Sequence, residues 1–226
     1  MKKGIGYFFV ELIIVTLGVS LSLVMNDRME NHRDQKRETM LLQVILNNLR
    51  QDSINNYHNQ AIVQRFTRST HSLLNADANT PLDSFNTYLD HITSYGQFQT
   101  VDLGFMELNS SGLKLQNDTL YRTLLSYYKS FDPLVEEWNK IQSSYVLEHS
   151  IPYVIEKFPK LKVDSGNSGN FAVVALPDAA TLDNKHYHNL LATSLLYNKN
   201  MLTVGSTRSR FVNTLIGQVR EELNQE

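Results

Sequence analysis

The sequence predicts an all-α fold in which an N-terminal transmembrane helix continues into an elongated antiparallel helical bundle. Three observations predict it. Residues 4–25 form an uninterrupted apolar run of 22 residues holding one charge, Glu11, which is long enough to cross a bilayer as a helix. Helix breakers are sparse, with 5 prolines and 10 glycines in 226 residues, so long leucine-rich stretches favour helix over sheet. Apolar residues then recur at helical spacing along most of the remaining chain, most regularly after Leu190.

The first element is read as an uncleaved anchor over residues 1–26. Met1-Lys2-Lys3 could open a signal peptide, but the apolar run is too long, Glu11 interrupts it, and no small-residue cleavage site follows. Lys2 and Lys3 favour an N-terminus held in the cytoplasm, whereas Arg28, Arg33, Lys36 and Arg37 argue the other way. The short basic leader before a long apolar run sets the expectation: tail inside, residues 27–226 outside.

A carboxylate within the span costs about 2.5–3.5 kcal/mol at the helix centre and normally faces protein or a polar cavity. At about 100° per residue, Gly4, Gly18 and Ser22 lie within roughly 20° of Glu11 around the axis. Gly18 and Ser22 fit the small-xxx-small pattern that lets helices approach closely. Gly4, Glu11, Gly18 and Ser22 are therefore the predicted interface with another membrane protein or a second copy of the chain. Two alternatives stand beside it. Glu11 could be the proton-binding carboxylate of an ion-coupled motor or transporter subunit, or it could sit near the headgroups in a span that starts later.

Beyond Met25 the chain turns charged at once, and nothing in Asn26–Glu38 breaks a helix. Met40, Leu41, Val44, Ile45 and Leu49 restore helical spacing, so one long helix, first a stalk and then a bundle member, is expected to reach about Leu74. Residues 75–81, Asn-Ala-Asp-Ala-Asn-Thr-Pro, end it. Leu82, Phe85, Leu89 and Ile92 mark a short amphipathic helix, and Gly112 suits the position past a helix end. Asn117 is a candidate N-cap. The following helix carries Leu120, Leu124, Tyr127 or Tyr128, and Phe131. Asp132-Pro133 predicts a kink or a new helix, after which Leu134, Trp138, Ile141 and Tyr145 continue the stripe. Ile151, Ile155 and Phe158 form a further fragment between Pro152 and Pro159. Residues 163–170 read as a loop, and Phe171–Leu176 as a short strand or a buried extended segment.

The last helix follows a four-three spacing through Leu191, Leu195, Asn198, Leu202, Gly205, Ser209, Val212, Ile216, Val219 and Leu223. That is the seam of a coiled-coil-like helix on a near-antiparallel neighbour. Asn198, Gly205 and Ser209 break its apolarity together. They predict either close helix approach or a register device, or else a polar pocket for a small ligand.

No catalytic constellation emerges. The chain has no cysteine, which excludes disulfides and thiolate chemistry. A net charge of −2 without a basic stripe argues against nucleic acid. His186 and His188 lack acidic companions at ligand spacing, and no metal or cofactor is expected. There is no serine-hydrolase elbow and no P-loop. Glu136 and Glu137 are adjacent on a helix, so they point apart. Tyr127, Tyr128 and Tyr145 are expected in the bundle with their hydroxyls at its rim.

Two segments, residues 7–33 and 105–128, resemble an uncharacterised family of small bacterial membrane proteins. Its span has the form E-x3-V-x2-G-x3-A/S before an Asn-rich exit, matched here by Glu11, Val15, Gly18, Ser22 and Asn26. A later E-L-x-S-S-G segment is matched by Glu107, Leu108, Ser110, Ser111 and Gly112, followed by Asn117, Leu120, Arg122, Tyr127 and Tyr128. The aromatic residue usual after the span's Asn is absent. The resemblance covers about the first 130 residues and implies a shared architecture with no catalytic residue. Together with the span it predicts a non-enzymatic accessory, scaffold or sensor subunit of a bacterial envelope complex, in the inner membrane with a periplasmic bundle.

Overall fold

The computed structural model describes the backbone of residues 3–158, 161–163 and 171–225, and side-chain surroundings from Glu11 to Phe158, at Leu161, and from Ala172 to Asn224. The fold is all-α, with eight helices and one small hairpin among these residues. Helix α1 (Lys3–Leu74) is unbroken over 72 residues, about 110 Å at 1.5 Å per residue. From Glu11 to Arg37 every residue of α1 is exposed, and burial begins at Glu38. Beyond that point two heptad lines turn inward. Glu38, Ile45, Asp52, Phe66 and Leu73 form one, and Leu42, Leu49, Asn56, Val63 and Thr70 the other. This is the seam expected where two helices pack at a shallow angle.

The seam faces α8 (Lys185–Gln225), which runs antiparallel to α1. The second wall is one continuous rod from Asp118 to Lys157. It comprises α4 (Asp118–Ser126), α5 (Asp132–Tyr145) and α6 (Ile151–Lys157), joined by single π-turns at Tyr127–Phe131 and Val146–Ser150. The residue that closes each wide turn directly precedes a proline: Asp132 N–H reaches back to Tyr127 O, and Ile151 N–H to Val146 O. A proline ring in a regular helix would clash with the carbonyl four residues back; opening the turn relieves this, and the kink predicted at Pro133 becomes a π-bulge. Helices α2 (Leu82–Ile92) and α3 (Leu103–Ser110) close the remaining side. Asn117 caps α4 as its residue type predicts, accepting from Leu120 N–H at 3.0 Å.

The extended alternative for Phe171–Leu176 is realised as a strand at its start only. Strand β2 (Phe171–Val173) pairs antiparallel with β1 (Leu161–Val163), Leu161 opposite Val173. The Asn86 side chain grips Val173 from both sides, accepting from its N–H at 2.8 Å and donating to its carbonyl at 3.1 Å. The four-residue α7 (Ala179–Leu182) follows, capped by Asp178.

Three sequence expectations need correction. The α8 seam is Tyr187, Leu191, Ser194, Asn198, Met201, Gly205, Arg208, Val212, Leu215 and Val219. One line of the predicted pattern is right and Leu195 is buried as expected, but Leu202, Ser209 and Ile216 are only partly buried where Met201, Arg208 and Leu215 fill the seam, each one residue away. On α5 the buried residues are Val135 and Gln142, with Leu134 and Ile141 exposed, since the π-turn rotates the following face. On α6 Tyr153 and Val154 are buried while Ile155 is 54% exposed.

Candidate functional site

Two places gather what the sequence singled out: the span and the waist of the bundle. In the span, Glu11, Gly18 and Ser22 are exposed, and a Cβ added at Gly18 would meet open space. Ser22 Oγ donates to Gly18 O at 2.8 Å, which satisfies the hydroxyl within its own helix. Gly4 lies outside the residues whose surroundings are described. By length and composition the N-terminal part of α1 is apolar enough to cross a membrane, and none of that stretch is covered by the rest of the chain.

At the waist, α1 contributes Asp52 and α8 contributes Arg208, both fully buried. Asp52 Oδ1 accepts from Val101 N–H at 2.8 Å, and Oδ2 accepts from Tyr127 O–H at 3.0 Å. Arg208 Nη2 stands 3.6 Å from Oδ2, and its Nε donates to Tyr127 Oη at 3.1 Å. The same Nη2 donates to Gln99 O at 2.8 Å and to Thr100 Oγ at 2.6 Å, and Thr100 donates onward to Asp132. Burial pushes the Asp52 carboxyl up to about 6, against the lowering pull of Arg208. Burial likewise raises Tyr127 and Asp132. Tyr127 is thus the centre of the network, not a rim residue with a solvated hydroxyl.

The network pins the irregular segment between α2 and α3. Its other supports are Asn139, which exchanges bonds of 3.1 and 2.8 Å with Phe98 N–H and O, and Asn48, which accepts from Gly104 N–H at 3.0 Å. Segments without their own ladder need partners for every buried amide, and here α1, α5 and α8 supply them. Gly104 suits this approach: a Cβ there would stand 3.0 Å from the Ile45 backbone nitrogen, tighter than an ordinary contact.

One turn further along, Asn56 donates to Gly205 O at 2.9 Å and to Ser209 Oγ at 2.6 Å, and Gln60 reaches the same two acceptors. A Cβ on Gly205 would lie 2.8 Å from Gln60 Cγ and 2.9 Å from Phe98 Cζ, so α1 and α8 meet closely there. Asn198 Oδ1 accepts from Gln142 Nε2 at 2.9 Å. An open polar groove of about 530 Å³ runs beside the pinned segment between Gln97, Asp102, Asp132, Glu136 and Lys140, and none of Asn198, Gly205 and Ser209 lines it. No family model matches the chain. No curated protein and no solved structure matches it.

Asp52 and Arg208 clamp the elements around them; a nucleophile or general base must reach a substrate, and neither of these two side chains reaches the surface. Ser69 Oγ lies 2.6 Å from His91 Nδ1, an arrangement that elsewhere activates a hydroxyl, but Ser69 is buried in mid-helix and lines no described groove. Among the described residues no three His, Asp or Glu side chains converge as metal ligands would. Sequence reasoning missed Asp52, Tyr127 and Arg208 as a unit. The readable signal was a charge at a seam position on each of two facing helices.

Proposed function

We propose that this chain is a non-enzymatic, membrane-anchored accessory, scaffold or sensor subunit of a bacterial envelope complex, assembled through the polar face of its span around Glu11. The observation that carries the reading is the continuity of α1. An apolar stretch that the rest of the chain leaves uncovered runs without a break into a seam locked by a buried ion pair. Whatever engages the span is therefore rigidly linked to the bundle. Asp52 and Arg208, the charged centre of the waist, are spent on holding α1, α8 and the segment before α3 together, which supports a structural role for them. The resemblance of residues 7–33 and 105–128 to small bacterial membrane proteins fits the same reading.

Mild detergent extraction of the full chain, with identification of what accompanies it, tests the proposal. Gly18→Leu should lose the companion, because a bulky side chain blocks close helix approach, while Glu11→Gln should retain it. A chain extracted alone, or a Gly18→Leu chain with its companion intact, overturns the reading.

A further inference from the structure

The buried and polar faces of α1 can be compared around its axis because the helix is unbroken. Taking Ile45 as the direction of the bundle and about 100° per residue, the buried Glu38, Leu41 and Leu49 lie within about 40° of it. Glu11, Gly18, Ser22, Met29, Lys36 and Met40 lie within about 40° of the opposite pole, with Arg33 about 60° from it. The polar side of the span and the basic side of the stalk thus form one line, on the side of α1 that the bundle leaves open. Met29 is 56% exposed and Met40 63%.

Charge along the stalk is segregated. Asp27, Glu30, Asp34 and Glu38 share the bundle-facing side, Arg33 and Lys36 the far side, and Arg28 and Arg37 flank the boundary at about 100° and 80° from Ile45. That arrangement decides between occupants. Two copies paired about a two-fold axis along the far side would set Arg33 and Lys36 against their own counterparts, and like charges juxtaposed at an interface are costly. Headgroups are out of easy reach. Arg33 and Lys36 stand 8 and 11 residues past Met25, about 12 and 17 Å along the helix. The polar layer outside the hydrocarbon is only about 5–8 Å deep on each side.

We propose that the side of α1 turned away from the bundle is one continuous docking face, from Glu11 to Met40, for a different membrane protein whose helix crosses beside the span and carries acidic residues just outside it. The inference rests on the functional reading above and adds the location of the contact and the chemistry of the partner. The partner's acidic flank meets Arg33 and Lys36, its apolar residues meet Met29 and Met40, and its span supplies the hydrogen bond that Glu11 requires in hydrocarbon.

Site-specific photocrosslinking of the full chain in its native membrane tests it, with a crosslinking residue placed singly at Gly18, Asp27, Met29, Asp34 or Met40. The expected result is one shared heterologous adduct from Gly18, Met29 and Met40, and none from Asp27 and Asp34. Mass spectrometry should identify a protein with acidic residues within about 15 positions of its span, the reach of the stalk. The double variant Arg33→Glu/Lys36→Glu should cut the Met40 adduct at least tenfold with an unchanged thermal midpoint, since both side chains are exposed. Adducts with a second copy, adducts with lipid alone, equal adducts from both faces, or a Met40 adduct indifferent to charge reversal each overturn the inference. A protein captured from Gly18 but not from Met29 or Met40 overturns it while leaving the functional reading intact, and capture from no position overturns both.

Discussion

Two adjacent layers of the same α1–α8 contact are built from opposite materials. In the layer nearer the span, Leu42, Ile45 and Leu49 meet Val212, Leu215 and Val219 within a core completed by Leu120 and Leu124. One turn further on, Asp52, Asn56 and Gln60 meet Arg208, Gly205 and Ser209 with hydrogen bonds in place of apolar contact. The apolar layer is non-directional and would tolerate sliding; the polar layer makes its hydrogen bonds in one register only. A slip of one heptad would set Asp52 against Leu215 or Met201 in place of Arg208, and a buried unpaired charge is far more costly than a lost apolar contact. The comparison teaches a division of labour. Apolar surface drives association, and the ion pair selects the alignment and places the Gln97–Asp102 segment.

The largest expected effect comes from breaking the pair on one side. Arg208→Met leaves the Asp52 carboxyl buried without its cation and should cost about 3–5 kcal/mol in denaturation of the full chain in detergent. Adding Asp52→Leu extends the apolar layer by one turn and should recover part of that loss, because Val101 N–H and Tyr127 O–H still lack their acceptor. If the single variant unfolds no more easily than wild type, the pair has no such role. Overpacking the closest approach comes next: Gly205→Ala should cost about 1–3 kcal/mol, since Phe98 and Gln60 must both give way.

Acidity then sharpens the contrast. The folded Asp52 carboxyl titrates near 6, above its ordinary 3.8, so between those values the native state holds a proton that the unfolded chain has released. Stability from this group is present below about 3.8 and is lost as pH rises through about 6. Asp90 and Asp132 are shifted in the same direction by burial and His91 in the opposite one. The difference between wild type and Asp52→Asn isolates Asp52. The thermal midpoint of wild type relative to the variant should rise as pH falls from 7 to 4, and a constant difference would contradict the assignment. The smallest effect is expected outside the seam, where Arg122 pairs with Asp118 at 2.8 Å on an exposed face. Arg122→Ala should cost no more than about 0.5 kcal/mol, despite a shorter distance than that of the buried pair.

Much of the fold was legible because it depends on local periodicity. The 72-residue first helix, the amphipathic α2, the Asn117 cap and one line of the α8 seam follow from spacing and residue type alone. The misreadings share a cause. Leu134, Ile141 and Ile155 were assigned inward because they are apolar, yet each follows a π-turn that rotates the face by a residue, and a π-turn leaves no mark in the sequence beyond the proline after it. Arg208 was passed over because a charge at a seam position reads as solvent-facing until its partner is known.

By itself, the sequence determined the class of structure, the anchor-like apolar start, the long first helix and the small and polar stretch at which the last helix approaches a neighbour. These rest on hydrophobic period, breaker content and capping chemistry, which act over a few turns of chain. Only the tertiary structure decided that Asp52, Tyr127 and Arg208 converge, that they hold the segment before α3, and that the bundle covers the side of α1 opposite Glu11. Those facts join residues 75 and 81 positions apart, and no local rule reaches so far, because the free energy of a buried charge is fixed by whichever distant group packs against it.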